Sequence, residues 1–452
     1  MAISTLTSPP LPDVERSAVM PRGFRAGGSI AGIKASGRPD LGLVVAPDGA
    51  SAAAVFTPNA FAAAPVRLSR ANLAATSGEP LGGYGYASAI VSTSGSANAA
   101  TGADGAADQA RVGAFVSDAL GIEQTRVLHL STGIIGTRLP LDKVERGIKA
   151  LVRQLGDDDG SFAAVAEALR TTDSVAKVAT TSFVLPAPDG EPVTVTVTGV
   201  AKGVGMIHPN MATMLSIVLT DAAASPDVLW NLLRPAAART WNQLSVDGDT
   251  STNDTVFVLA SGASGAAPVT AGSPGALALG AALEAVARDL ARQQAADGEG
   301  ASILITAAVR GAHDDADARA IARAVVSSSL VKAAAHGKDP NWGRVAGAAG
   351  NAVTASEAVL GAAGLAPEEA AARAAQSASL DPDRLRIWIA GHLVFDGGQG
   401  GPVQFDRGAA RAAMDAPELL IELDLGIGDG VGEAFGCDLT QEYVIENSEY
   451  TT

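Results

Sequence analysis

The stretch Lys202 to Asp221, KGVGMIHPNMATMLSIVLTD, sets one lysine, one asparagine and the small pair Ala212-Thr213 among apolar residues and glycines, immediately before a β-favouring run. Two readings follow. In one, the glycines turn the chain between two strands and Thr213 is an ordinary β-branched strand residue. In the other, Thr213 is a nucleophile released by self-cleavage. Its hydroxyl, in a strained turn, attacks the preceding carbonyl of Ala212, and water hydrolyses the resulting ester. The freed α-amine, with an ordinary pKa of about 8, then serves as general base for the same hydroxyl. One residue supplies nucleophile and base together, which removes the need for a histidine partner.

Other chemistries lack their usual residues. The sequence has no G-x-x-x-x-G-K-[ST], no G-x-G-x-x-G after a strand, no H-E-x-x-H and no G-x-S-x-G, so nucleotide cradles, zincins and nucleophile elbows have no support. The histidines, His129, His208, His313, His336 and His392, are scattered and read as structural or surface residues, with no metal site. Asp247 to Asp254, DGDTSTND, resembles a calcium loop only superficially, because its glycine is second rather than sixth, and it reads as an Asx and Ser/Thr turn. The run Asp157-Asp158-Asp159 reads as a solvated loop.

The elements that must position these residues are mixed. Leu41 to Val45, Ala53 to Phe56, Tyr86 to Val91, Arg126 to Leu130, Val193 to Thr198, Thr213 to Leu219, Thr255 to Ala260, Ser302 to Val309, Leu385 to Ile389 and Leu419 to Leu425 read as strands. Ala107 to Leu120, Asp142 to Leu155, Pro226 to Thr240, Ala276 to Ala295 and Ala316 to Val326 read as helices, the longest with Leu279, Leu283, Val286 and Leu290 on one face. Strands and helices interleave, some strands as adjacent pairs, so the pattern predicts a mixed α/β class with antiparallel elements. Residues 1–21 carry no periodicity and are expected to be a mobile tail, and Ser261 to Pro274 a flexible connection. The 452-residue length suits two to three structural units, and with 47% apolar residues the chain can bury a large core. Its 48 acidic against 32 basic residues give a net charge of −16, which disfavours nucleic acid and membrane surfaces as partners. A lone cysteine, Cys437, excludes an internal disulfide. With neither a signal peptide nor a long apolar span, the expected location is the cytoplasm.

The segment KGVGMIHPNMATML resembles the cleavage-site motif of the ornithine acetyltransferase family, the bifunctional glutamate N-acetyltransferases of arginine biosynthesis. Other segments are similar in the expected order: SGRPDL at 36–41, STGIIG at 131–136, TTD at 171–173, VDGDTSTND at 246–254, DGEGA at 297–301, DPNWGR at 339–344, GCDLT at 436–440 and NSEYTT at 447–452. They span nearly the whole chain.

The resemblance implies a layered α/β sandwich of helices around two mixed sheets, of the N-terminal-nucleophile type, with a smaller C-terminal α/β domain within 276–452. It implies scission between Ala212 and Thr213, giving an α chain from 22 to 212 and a β chain from 213 to 452. The fragments would stay together through shared sheets, as (αβ)₂ or larger. Thr213 would be the nucleophile, and Thr132 and Gly133 the oxyanion hole, where each donor is worth about 3 kcal/mol to a tetrahedral intermediate. Without the resemblance Thr132-Gly133 is a plain strand-to-loop turn. Thr172, Lys202, Thr213, Glu299, Asn447 and Thr452 would contact substrate, with Lys202 suited to an α-carboxylate, Glu299 to a δ-ammonium and Asn447 to an amide. Leu439 to Ile445, rich in β-formers, would tie down the C-terminus. The implied reaction is ping-pong: acetyl passes from N-acetylornithine to Thr213 and then to glutamate, with no metal or cofactor. Some members also use acetyl-CoA as donor, and the residues do not decide this.

Thr93-Ser94-Gly95-Ser96-Ala97-Asn98 lacks two amides of the family's NSGNAN-like segment, and TTD continues as Ser174-Val175-Ala176-Lys177. These departures leave the catalytic core intact and put the acyl acceptor in question. A specialised-metabolism paralogue with another acceptor, a related self-cleaving aminopeptidase or amidase, and an uncleaved binding protein are the rival readings.

Overall fold

The computed structural model describes residues 11–208, 214–352 and 379–449, with Glu368, Ala371 and Ala372. These fall into two compact units, one made of Leu11–Asn242 and Asp249–Asp297, the other of Gln243–Gly248 and Gly298–Glu449.

The larger unit is built on β1 (Arg25–Ser29), β2 (Leu41–Phe56), β3 (Tyr84–Ser96), β4 (Val127–Ile134), β5 (Lys177–Pro186), β6 (Pro192–Lys202), β7 (Leu215–Thr220) and β9 (Thr255–Ala260). Their order is β4-β3-β2-β9-β7-β6-β5, with β1 paired to β2. β3 and β4 run parallel, as do β7 and β9, and the other ladders are antiparallel. Both faces of this sheet are covered, and β2 shows why. Its odd positions Leu41, Leu43 and Val45 pack with Val112 and Val116 of α2 (Gly102–Leu120) and Val144 and Ile148 of α3 (Leu141–Leu151). Its even positions Val44, Ala46, Ala52 and Ala54 join Phe162, Val165 and Leu169 of α4 (Asp159–Leu169). A two-residue period that is apolar on both faces belongs to a strand buried on both sides. Farther along the sheet, α6 (Pro274–Ala296) lies on β5 and β6 and packs against α5 (Pro226–Arg239). Gly199 of β6 permits that approach: a Cβ there would stand 2.7 Å from Val286 and 2.8 Å from Leu290.

The smaller unit holds β8 (Leu244–Ser245), β10 (Leu304–Ala312), β11 (Arg386–Ile389), β12 (His392–Asp396), β13 (Gly401–Pro402), β14 (Glu418–Asp424) and β15 (Gly430–Cys437), in the order β13-β12-β11-β14-β10-β15-β8. β10 is parallel to β14 and antiparallel to β15, so this sheet is mixed too. Helix α7 (Asp315–Ser327) packs its Ile321, Val325 and Val326 with Ile305, Val309 and Leu423. The class is α/β with two mixed sheets, as expected.

Several local expectations change. Residues 11–21, expected within a mobile tail, are docked: the Glu15 and Thr180 backbones exchange hydrogen bonds of 2.8 and 2.7 Å, and Ala18 is buried. The unpaired edge of β5 supplies the partners. Asp157-Asp158-Asp159 is exposed, as expected of a solvated loop, and leads into α4: Asp158 accepts the Ser161 N–H at 3.0 Å as the N-cap, and Asp159 is the first helical residue. The expected flexible connection Ser261 to Pro274 is tied to the sheet, with the Val269 N–H donating to the Ala223 carbonyl at 2.7 Å and Ala266 and Val269 buried. Leu439 to Ile445, rich in β-formers, leads instead into a helix, Gln441–Glu449, the last of the described residues, which the Thr440 hydroxyl caps by accepting the Tyr443 N–H at 3.2 Å.

Candidate active site

Thr132 and Gly133 stand near the end of β4, in register with Ser94 and Gly95 of β3. Gly133 has φ +123°, and a Cβ on it would come within 2.5 Å of the Gly95 carbonyl carbon. Only glycine fits at this position near the end of β4. Asn253 braces it from the VDGDTSTND segment: its Nδ2 donates to the Ser131 carbonyl at 2.8 Å and to the Ala97 carbonyl at 2.7 Å. That segment forms the expected Ser turn, the Ser251 hydroxyl accepting the Asn253 N–H at 3.2 Å, and it also buries Thr252, Asn253 and Asp254.

Lys202 is the last residue of β6, paired with Leu215 of β7. Its Nζ donates to the Thr132 hydroxyl oxygen at 3.3 Å, so β6 and β4 contribute to one site. Beneath it lies a buried charge network. Asp173, one residue after the exposed Thr172, accepts the Gly203 N–H at 2.7 Å and the Lys177 ammonium at 2.7 Å. Lys177 also reaches Asp297 at 2.6 Å. Burial acts to raise the Asp173 carboxyl, but Lys202, Lys177 and the Gly203 N–H outweigh it and hold Asp173 below the usual carboxylate range.

Asp254 is the opposite case. Burial pushes its carboxyl well above the usual range, against hydrogen bonds from Ser251 and the Met214 N–H and the charge of Lys202. Lys34, pushed down to about 8 by burial and by the charges of Arg38 and Lys202 against those of Asp40 and Asp173, donates to the Pro39 carbonyl at 2.7 Å and to the Arg170 carbonyl. Asp40 organises this SGRPDL loop by accepting the N–H groups of Ala31, Ile33 and Lys34 at 2.6, 2.5 and 3.0 Å.

In the smaller unit Glu299 and Asn447 meet, Asn447 Nδ2 donating to Glu299 Oε2 at 3.1 Å. Gly300 makes the junction: with φ +64°, it lies so close to the C-terminal helix that a Cβ would be 2.3 Å from the Tyr443 nitrogen, and its carbonyl accepts the Thr440 hydroxyl at 2.7 Å.

The large unit thus brings Thr132, Gly133 and Lys202 together, with the exposed Thr172 next in sequence to Asp173, and Glu299 pairs with Asn447 in the small one. Ala212, Thr213 and Thr452 lie outside the described residues. Sequence reasoning assigned no role to Asn253, Asp254, Asp173, Lys177 or Asp297. Their signal was present in VDGDTSTND, DGEGA and TTD with its continuation Ser174 to Lys177, whose polar residues had no stated partners.

The arrangement can take a carbonyl oxygen between the Gly133 N–H and the Thr132 hydroxyl with a cation alongside, the equipment of acyl transfer. Among the described residues no helix is long and apolar enough to cross a membrane. The ArgJ family model matches residues 25–452. The arginine biosynthesis bifunctional protein ArgJ of Synechococcus sp. is 44% identical over 441 residues, covering 96% of each chain. That of Thermus thermophilus is 41% identical over 434 residues, 96% of this chain and 99% of its own. The crystal structure of arginine biosynthesis bifunctional protein ArgJ from Bacillus halodurans is 36% identical, with a TM-score of 0.46 over 53% of this chain and 100% of that one. Matched along nearly its whole length, the chain belongs to the ArgJ family, the ornithine acetyltransferases of arginine biosynthesis.

Proposed function

We propose that this protein moves the acetyl group of N-acetylornithine to glutamate through an ester on Thr213, after cutting its own chain between Ala212 and Thr213. The Thr213 hydroxyl attacks the acetyl carbonyl, its α-amine takes the proton, and Thr132 and Gly133 hold the oxyanion. Ornithine leaves with that proton, and the amine of glutamate then attacks the ester and releases Thr213. The observation that supports this best is the Lys202 ammonium 3.3 Å from the Thr132 hydroxyl beside the left-handed Gly133, a polarised donor pair at the end of β4. Substrate contacts carried over from the family are Thr172, Lys202, Glu299, Asn447 and Thr452, with Lys202 taking an α-carboxylate. The fragments 22–212 and 213–452 remain associated, as (αβ)₂, in the cytoplasm, and acetyl-CoA is a second donor to be tested.

Intact mass under denaturing conditions tests processing: two species, Met1 to Ala212 and Thr213 to Thr452, support it, and one stable full-length species rejects it. Transfer of labelled acetyl from N-acetylornithine to glutamate then separates this reaction from a hydrolase, which would release acetate instead.

A further inference from the structure

Lys202 does more in this geometry than a substrate contact requires. An ammonium can only donate, so at 3.3 Å the Thr132 oxygen must be the acceptor. A hydroxyl held that way directs its own O–H elsewhere, and a cation on its lone pair strengthens the hydrogen bond it gives. The placement of Lys202 is itself fixed on both sides of its peptide group. Its carbonyl accepts Gln294 Nε2 at 2.9 Å, and the following N–H, of Gly203, donates to Asp173 at 2.7 Å. Asp173 and Lys177 are fully buried, and Asp297 is close behind. Two carboxylates against one lysine leave a negative charge, and Lys202 is the further cation acting on Asp173. Buried ion networks rarely stabilise a fold better than apolar packing does, so a positioning role is the better reason for this one.

We infer that Lys202 is a positioning residue for the oxyanion hole, setting the Thr132 hydroxyl as the outward donor, and that Asp173 holds Lys202 in place for that task. The inference rests on the acyl-transfer reading above.

A neutral donor separates the two roles of Lys202. p-Nitrophenyl acetate has no carboxylate for Lys202 to bind. Its acetyl carbon bonds to Thr213 Oγ, the bond from that carbon to the phenolic oxygen breaks, nitrophenolate leaves with the electron pair and the hydroxyl proton passes to the α-amine. The burst of nitrophenolate is measured on processed protein, with processing checked by intact mass. Lys202→Met is expected to slow the burst by about tenfold or more, within the range for oxyanion donors. In a Thr132→Val background the same change should add less than about twofold. Lys202→Arg should recover part of the rate. Asp173→Asn, which leaves both side chains in place, should lower kcat with KM for N-acetylornithine within about twofold and an unchanged circular-dichroism spectrum. A Lys202→Met burst within about twofold of the unsubstituted enzyme, with only KM for N-acetylornithine raised, overturns the inference while leaving acyl transfer intact, as do additive effects of Lys202→Met and Thr132→Val. No burst from the unsubstituted protein and a single full-length mass overturn the acyl-transfer reading itself, and this inference with it.

Discussion

The side-chain amide of Asn253 donates to the Ser131 carbonyl at 2.8 Å, tying the approach to β9 directly to the turn that carries Thr132 and Gly133. The same nitrogen serves the Ala97 carbonyl, and all three groups are shielded from water. Asn253→Ala removes the donor that these two carbonyls share, at a cost of about 2–4 kcal/mol. Urea unfolding should show that loss, and acetyl transfer should fall with it even where the protein remains folded.

Gly133→Ala should fail for a steric reason. At φ +123° the added methyl meets the Gly95 carbonyl carbon at 2.5 Å, so either the turn or the β3–β4 ladder must move. Strain of about 1–3 kcal/mol is expected, with transfer slowed more than tenfold as the N–H leaves its place. Thermal melts and steady-state kinetics on the same preparation check both.

Thr213→Ala should abolish processing and turnover together, whereas Thr213→Ser keeps a hydroxyl and should retain part of each. Intact mass and the transfer assay read the two effects separately. Normal processing of Thr213→Ala would remove Thr213 as the nucleophile.

His129, on β4 and wholly buried, is pushed down to about 3 by burial, from an ordinary 6.5. Its Nδ1 meets Gln109 Nε2 at 3.0 Å. Because the unfolded chain takes up this proton first, the residue contributes no pH dependence above about 6.5, and stability falls as the pH drops from there toward 3, by about 1.4 kcal/mol per unit. His129→Gln, which puts a non-titrating amide in place of the imidazole, should give a shallower loss of Tm between pH 6.5 and 4 than the unsubstituted protein. Equal slopes would mean that His129 does not carry the acid sensitivity.

The parts of this site legible in the sequence were those whose chemistry is local. The Ala212-Thr213 pair before a strand offered a nucleophile by residue type beside its plain strand reading, while Thr132-Gly133, otherwise a plain turn, and Lys202 took their roles from the resemblance of local motifs to the family's. The supports were not legible, because they join distant positions: Lys177 meets Asp297 across 120 residues, and Asn253 meets Ala97 across 156. Elements escaped for a related reason. β1 reads RAGGS, with no β-branched residue, and is a strand because its backbone pairs with β2, its glycines leaving room for α4, since a Cβ at Gly28 would sit 2.0 Å from the Ala164 carbonyl oxygen. In QEYVIENSE, the β-forming residues are overruled by the Thr440 cap.

β6 lies before residues 209–213 and β7 after them, yet the two are hydrogen-bonded neighbours; so are β2 and β9, and β7 and β9 together stand between β2 and β6. A chain opened between β6 and β7 can therefore hold its shape while it stays folded, but once unfolded its halves diffuse apart. From then on refolding is a second-order encounter, and recovery depends on protein concentration instead of on loop closure. Such an enzyme assembles readily once, as a single chain, and is poorly equipped to assemble a second time.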